Sequence, residues 1–165
     1  DTLRFQPNCW HPTARRLPAM LALIEGGEGF AIHRTYLQPD GLAKSQVAPS
    51  KAMLGAVSGG SVRLTATQGP IVVAEGIETA LSLSCGLIDR PVNLWAALST
   101  SGMRGLRLPE TVSELIIASD GDAEGRKAAH TLAVKADALG WKVSSLTAPE
   151  GQDWNDVLND EGVVT

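Results

Sequence analysis

Cysteine, aromatic residues and long apolar stretches are all scarce in this sequence of 165 residues. Its two cysteines, Cys9 and Cys85, lie far apart and form no Cys-x-x-Cys pair, which excludes a zinc ribbon and a disulfide framework and favours a cytoplasmic location. No apolar run approaches the roughly 18 residues that a membrane-spanning helix needs. The start of the chain has neither an initiator methionine nor a hydrophobic signal segment, and we expect the chain to be part of a longer protein.

An excess of basic residues is also missing. The formal net charge is -4, with 14 Lys and Arg residues against 18 Asp and Glu residues. This balance argues against a broad basic surface, so any contact with nucleic acid would depend on local Lys and Arg groups or on metal ions that bridge to phosphate. Hydrophobic residues make up 44% of the chain, which is enough for the core of one domain or of one domain with a small lobe.

Acidic residues follow two short, continuously apolar runs of the kind that buried parallel strands show. Residues 71–74 lead into Glu75 and Gly76, and residues 115–118 lead through Ser119 into Asp120-Gly121-Asp122. A helical pattern follows each run, so we expect the three carboxylates to meet at the carboxyl edge of one sheet. Oxygen ligands without a neighbouring Cys or His favour Mg²⁺ or Mn²⁺ over zinc.

A purely structural explanation fits the second motif about equally well. Asp120 and Asp122 would then form an ordinary Asp-Gly turn and a helix N-cap, because carboxylates stabilise helix N-termini. In either case Gly121 would let the chain turn tightly between the two acids. Glu75, at the matching place on the other strand, shifts the balance towards a metal site.

Both motifs resemble those of Toprim domains, which occur in DNA primases, topoisomerases and related nucleases. In that family one hydrophobic strand ends in Glu-Gly, as at residues 72–76, and another ends in Asp-x-Asp with a glycine and small residues on the following helix, as at residues 120–129. Residues 51–55, Lys-Ala-Met-Leu-Gly, resemble an element that precedes the Toprim strand in bacterial primases. Residues 152–156, Gln-Asp-Trp-Asn-Asp, resemble an acidic element of phage and plasmid primase-helicases, with Gln152 in place of the usual lysine.

The resemblance implies an α/β fold with a Rossmann-like parallel sheet flanked by helices, preceded by a small antiparallel β lobe. We expect the lobe over residues 1–69, the Toprim domain over residues 70–158 and a tail over residues 159–165. Within the lobe, the patterns predict an extended, loop-rich lead-in over residues 1–20, followed by a hairpin of two strands up to residue 37. Residues 99–103 are predicted to form a loop of small residues near the proposed site.

The function that the resemblance implies is that of a catalytic-core fragment of a phage- or plasmid-type DNA primase. Such a core joins ribonucleotides from nucleoside triphosphates into a primer on a single-stranded DNA template. The same chain would then carry further domains, a zinc ribbon and a helicase, and no membrane is involved. Because essential parts would lie in those domains, we expect the fragment alone to prime poorly or not at all.

The resemblance also implies the site residues. Glu75, Asp120 and Asp122 would be catalytic and would hold Mg²⁺ or Mn²⁺, with Asp153 as a further ligand, although Glu75 could instead act as a general base. Thr79 stands where many primases have an aspartate, which leaves the ligands of a second metal open to Glu78 or Asp153. Contacts to nucleotide or nucleic acid are expected from the following residues: Lys51, Arg63, Gly76 and Arg104.

Alternative functions share some of these features. A Toprim nuclease would use the same acids for phosphodiester hydrolysis, and a DNA-binding or recombination-mediator module could keep the fold without catalysis. A type IA topoisomerase needs a nucleophilic tyrosine, but the single tyrosine, Tyr36, precedes the Toprim strands. An aspartate-nucleophile phosphatase has no need of Glu75.

Overall fold

The computed structural model describes residues 2–160 and contains two β-sheets. The first sheet has four antiparallel strands in the order β1-β2-β3-β4. These strands are β1 (Leu3–His11), β2 (Arg15–Ile24), β3 (Ala31–Tyr36) and β4 (Lys51–Gly55). The predicted hairpin therefore forms, with β2 and β3 as its strands.

The first twenty residues do not form the predicted loop-rich lead-in. They contain β1 and the first part of β2, paired from Leu3 with Ala22 to His11 with Arg15. Three prolines suggested a loop, but Pro7 lies on an edge strand, between Gln6 and Cys9, where the register of the pairing shifts. Pro18 of β2 lies opposite the same shift, between Leu17 and Ala19, and Pro12 lies in the turn between β1 and β2. An edge strand, a bulge and a turn all tolerate the missing N–H of proline, so the prolines do not interrupt the sheet.

The second sheet has five strands in the order β5-β7-β6-β8-β9. Its strands are β5 (Val62–Arg63), β6 (Ile71–Ala74), β7 (Asn93–Ala96), β8 (Glu114–Ser119) and β9 (Lys142–Thr147). The last four are mutually parallel, as predicted, and β5 is an antiparallel edge strand. Because β5 precedes residue 70, the predicted lobe contributes one strand to this sheet.

Helices connect the parallel strands. They are α1 (Ile77–Ser82), which continues into a π-helical turn (Leu83–Leu87), α2 (Thr100–Gly105), α3 (Ala123–Ala138) and α4 (Trp154–Asp160). The prediction of a loop over residues 99–103 was wrong, because Ser99 caps α2 by accepting a hydrogen bond from the Gly102 N–H at 3.0 Å. Helix α4 includes the first two residues of the predicted tail, and residues 161–165 lie outside the described residues.

Both faces of the parallel sheet are buried. One face packs against α1, and its residues Val72 and Ile116 belong to a core that also contains Ile77 of α1 and Ala22 and Ile24 of the first sheet. The other face packs mainly against α3, which contributes side chains such as Leu132. This double burial explains the uninterrupted apolar character of β6 and β8. Among residues 2–160 no helix is both long and apolar enough to cross a membrane.

The turn between β8 and α3 is locked by backbone contacts at Gly121. The Gly121 N–H donates to the Gln152 carbonyl at 2.8 Å, and the Gly121 carbonyl accepts from the Gly151 N–H at 3.1 Å. A Cβ atom at this position would overlap the Pro149 carbonyl oxygen. Glycine is therefore required because two segments of backbone approach each other closely, and its φ is not positive as a tight turn would suggest.

Replacing this glycine tests the packing of the turn. Gly121→Ala places a methyl group against backbone atoms that have no free space, and we expect a loss of about 2 kcal/mol or more in the free energy of unfolding. Urea unfolding measures this value. Gly105→Ala is the matched control, because a Cβ at that position would meet no other segment of the chain within 4 Å. Equal stability of the two variants would contradict the close approach.

Candidate metal and phosphate site

Parallel pairing brings the acidic strand ends together. Strands β6 and β8 are neighbours, and Ala74 lies directly opposite Ala118, so Glu75 and Asp120 leave the sheet at the same edge. Both side chains line a cavity of about 180 Å³, together with Asp153. Asp153 reaches this edge because the Trp154 indole N–H donates to the Ser119 carbonyl at 3.1 Å, which fixes the start of α4 beside the end of β8.

Asp120 lies at the centre of this acidic group. Its Oδ1 atom is buried and accepts no hydrogen bond. Burial, and then the charges of Glu75, Asp153, Asp122 and Asp156, raise the pKa of Asp120 from 3.8 to about 6. These four carboxylates are thus close enough to disfavour the ionised form of Asp120. A bound cation would relieve this repulsion.

Glu75 is held by α2, which was predicted to lie near the site as a loop and not as a helix. Burial and then the Asp122 charge raise the pKa of Glu75, while a hydrogen bond from the Thr100 backbone N–H and the charges of Arg104 and Lys51 oppose this rise. Helix α2 therefore supplies both a backbone donor and a cation to this carboxylate.

The two explanations offered for the acids of the second motif are compatible. Asp122 does cap α3, because its Oδ1 accepts a hydrogen bond from the Gly125 N–H at 2.6 Å. Asp153 likewise begins α4, accepting from the backbone N–H groups of Asn155 at 2.8 Å and Asp156 at 2.9 Å. Each cap uses the Oδ1 atom of its aspartate, so the Oδ2 atom takes no part in the cap.

The chemistry of these residues fits a hard divalent cation. The donors are all oxygen atoms, one of them is buried without a partner, and their charges repel one another. In the part of the chain from Thr2 to Asp160, however, no three Asp, Glu, His or Cys side chains are grouped tightly enough to hold a metal ion. The residues therefore suit Mg²⁺ or Mn²⁺ by type and charge, while their side-chain positions do not form a closed set of ligands.

Two lysines of the β lobe line the same cavity. Lys51 begins β4, as part of the primase-like element, and Lys44 lies in the preceding loop. Both contact Glu78, with Nζ–Oε1 distances of 2.9 Å for Lys44 and 3.1 Å for Lys51. Burial opposes ionisation of Glu78, but the Lys44 hydrogen bond and the Lys51 charge outweigh it and lower the pKa of Glu78 to about 2.

The remaining predicted contact residues divide into two groups. Gly76 lines the cavity, and Arg104 lies near Glu75 while forming an ion pair with Glu124 at 2.7 Å. Arg63 is not brought to the acids. Its guanidinium stacks over the Trp95 ring at 4.3 Å and lines a different cavity, at the β5 edge of the sheet.

Sequence reasoning missed three contributors. Lys44 lies in a loop without a motif, and the Thr100 N–H acts through a helix that was predicted to be a loop. Arg126 donates from Nη1 to the Gly121 carbonyl at 2.7 Å and to Glu150 Oε2 at 2.9 Å, which braces the turn between Asp120 and Asp122. Its spacing from the acidic motif, one helical turn into α3, was the only available signal.

Acidic strand ends at the carboxyl edge of a helix-covered parallel sheet define the class: an α/β domain with a candidate site for a divalent cation and phosphate. The chain belongs to the Toprim domain family, because the model of that family matches residues 70–163, more than half of the chain. The predicted resemblance is thus confirmed. Residues 1–64 match a domain of unknown function, DUF7146. No curated protein matches the chain.

Solved structures of primases share the fold. A DNA primase domain from Pseudomonas aeruginosa has a TM-score of 0.53 at 19% identity, covering 97% of this chain and 52% of the other. The zinc-binding and RNA polymerase domains of the Aquifex aeolicus primase have a TM-score of 0.52 at 18% identity, covering 88% of this chain and 38% of the other. The primase fragment of the bacteriophage T7 primase-helicase has a TM-score of 0.50 at 19% identity, covering 88% and 66%.

These likenesses establish the fold. The chain spans less than two-thirds of the length of each of the three primase structures. The identity of its reaction therefore depends on the site and on experiment.

The raised pKa of Asp120 predicts a pH dependence of stability. The unfolded pKa is about 3.9, so between that value and about 6 the folded state binds a proton that the unfolded state releases. The stability contributed by the protonated form is complete below the unfolded pKa and is lost as pH rises through about 6. Relative to Asp120→Asn, which cannot ionise, we expect wild type to lose roughly 2 kcal/mol across this range.

Urea unfolding in chelator, at a series of pH values, measures the difference between the two proteins. The comparison with Asp120→Asn is needed because other groups also make stability depend on pH. Burial and the Lys51 charge lower the pKa of His33, and this shift makes the stability of both proteins rise with pH. Asp137→Asn, exposed on α3, controls for the chemical change itself. A wild-type profile parallel to that of Asp120→Asn would show that Asp120 does not lie among repelling acids.

Proposed function

We propose that this chain is the catalytic-core fragment of a DNA primase, a nucleotidyltransferase that joins ribonucleotides into primers on single-stranded DNA. The observation that carries the proposal is the shared cavity: Glu75 and Asp120 meet lysines of the β lobe there. Acids for a divalent cation and cations for phosphate are the two groups that transfer of a nucleotide from a triphosphate requires. Membership of the Toprim family and the fold of primase domains support this assignment.

The proposed ligands of Mg²⁺ or Mn²⁺ are Glu75, Asp120 and Asp122, with Asp153 as a further ligand. A bound cation would neutralise charge on the triphosphate and align it with the attacking 3′ oxygen. The Thr100 N–H orients the Glu75 carboxylate. Capping bonds fix Asp122 at the start of α3 and Asp153 at the start of α4, so both acids are positioned before the substrate binds.

Basic side chains around the cavity are proposed to bind phosphate. Lys51 and Lys44 approach from the β lobe, and Arg104 approaches from α2. A lysine acts on phosphate as a mobile point charge, whereas arginine can form two parallel hydrogen bonds. Their approach from two sides suits a triphosphate that lies between the sheets.

Partner domains are part of the proposal. The Aquifex structure contains a zinc-binding domain, and the T7 fragment belongs to a primase-helicase protein. We propose that a zinc-binding domain and a helicase accompany this chain in the same way, with single-stranded DNA and nucleoside triphosphates as substrates.

The metal site can be tested through stability. A cation that binds only the folded state stabilises it, by roughly 1.4 kcal/mol at about ten times Kd. We expect Mn²⁺ to raise the Tm of wild type in a calorimetric scan, and to raise that of Asp122→Asn much less. Asparagine keeps an oxygen that can accept the Gly125 N–H, so the variant removes charge and preserves the cap. Equal responses of the two proteins would remove Asp122 from the site.

The type of reaction can be tested with a preformed primer, which bypasses initiation. With Mn²⁺, nucleoside triphosphates and a labelled RNA primer annealed to single-stranded DNA, we expect slow extension and no initiation in the absence of the primer. Asp120→Asn is expected to lose extension by at least about 100-fold, as typical of removing one group that stabilises transition-state charge. Gel analysis separates the alternatives: shortened strands would indicate a nuclease, and DNA binding without either product would indicate a non-catalytic module.

A further inference from the structure

Glu78 lies in the candidate site without an evident role in the reaction. It lies in the first turn of α1, three residues after Glu75, and it lines the same cavity as Glu75 and Asp120. Its two oxygens are occupied by lysines: Oε1 lies 2.9 Å from Lys44 Nζ, and Lys51 Nζ lies 3.1 Å from Oε1 and 3.2 Å from Oε2. A carboxylate with two ammonium partners is poorly suited to serve as a metal ligand.

The cavity presents an electrostatic problem that Glu78 can solve. Lys44 and Lys51 line it together with Glu75 and Asp120, and opposite charges in so small a space attract one another. A lysine that formed an ion pair with Asp120 or Glu75 would neutralise the carboxylate and compete with a divalent cation for its oxygens. Separate partners for the lysines are therefore needed if the acids are to remain available.

We propose that Glu78 is a positioning residue, which holds Lys44 and Lys51 of the β lobe apart from the metal-binding carboxylates and at the cavity opening where phosphate would enter. This inference rests on the proposed function, because it assigns roles to lysines and acids of the same site. It explains why Glu78 Oε1, which forms no well-aligned hydrogen bond, lies within ion-pair distance of two lysines, whereas Asp120 Oδ1 is buried without a hydrogen-bond partner.

The arrangement also connects the two sheets at the site. Glu78 belongs to α1, which follows β6, whereas Lys51 belongs to β4 and Lys44 to the loop before it. The two ion pairs therefore fix the β lobe over the acidic strand ends. Side chains of Lys44, Lys51 and Glu78 keep 50%, 40% and 35% of their surface exposed, so a phosphate group can reach the lysines without unfolding either lobe.

A double-mutant cycle on Mn²⁺ binding tests the proposal. The four proteins are wild type, Glu78→Gln, the lysine variant Lys44→Gln/Lys51→Gln and the variant that combines all three changes, and calorimetric titration with Mn²⁺ alone gives each Kd. Because Glu78 already holds both lysines away from the acids, the lysine variant should change Mn²⁺ affinity by less than about twofold in the wild-type background. Glu78→Gln releases both lysines and should weaken Mn²⁺ binding about fivefold, the effect of one new, partly exposed ion pair.

The decisive value is the coupling between the two changes. Removing both lysines in the Glu78→Gln background should restore Mn²⁺ affinity to within about twofold of wild type, a strongly non-additive result. Additive effects would overturn the proposal, since they would mean that Glu78 acts only through its long-range charge. Failure of the combined variant to recover affinity would overturn it in favour of Glu78 as a metal ligand.

Two further results complete the test. Glu114→Gln removes the ion pair with Arg90 at the amino end of β8, outside the cavity, and should leave Mn²⁺ affinity unchanged. Unchanged affinity in Glu78→Gln, with wild type binding Mn²⁺, would overturn the role of Glu78 while the metal site stands. A wild-type protein that binds no Mn²⁺ would overturn the metal site and this inference together.

Discussion

Repulsion among carboxylates at the carboxyl edge of the parallel sheet is the constraint on which the rest of the structure depends. Asp120 is surrounded by Glu75, Asp122, Asp153 and Asp156, and its pKa is raised accordingly, first by burial and then by these charges. The fold holds this unfavourable group in place through contacts elsewhere: backbone hydrogen bonds at Gly121, helix caps at Asp122 and Asp153, and a doubly buried sheet. An unfavourable group of charges that a well-packed framework holds in place is typical of functional sites.

The sequence predicted the features that follow from local pattern. Strands β6 and β8 were evident because both faces are buried and their apolar runs are unbroken. Helix α3 was evident from its apolar spacing and from Gly140, whose φ of 87° ends the helix. Since parallel strands end at one edge, the meeting of Glu75 and Asp120 followed without further information.

The features that could not be predicted depend on contacts between distant residues. The three prolines of residues 1–20 suggested a loop because nothing local indicates that a strand pair with a register shift will accommodate them. Small residues at 99–103 suggested a loop, because the sequence alone does not show the cap at Ser99 or the close approach of Gly102 to the Ala97 carbonyl. Lys44 reaches the site only through the path of the β lobe, and Arg63 is drawn away from it by the Trp95 ring.

The central proposal is that Glu75, Asp120 and Asp122 bind a divalent cation at the end of the parallel sheet. An anomalous difference map from crystals of this chain grown with Mn²⁺ tests the claim most directly. We expect a peak within Mn–O coordination distance, about 2.2 Å, of oxygens from Glu75 and from at least one of the two aspartates. A Lys51 ammonium in contact with Asp120, with no peak at this edge in crystals that contain Mn²⁺, would contradict the claim.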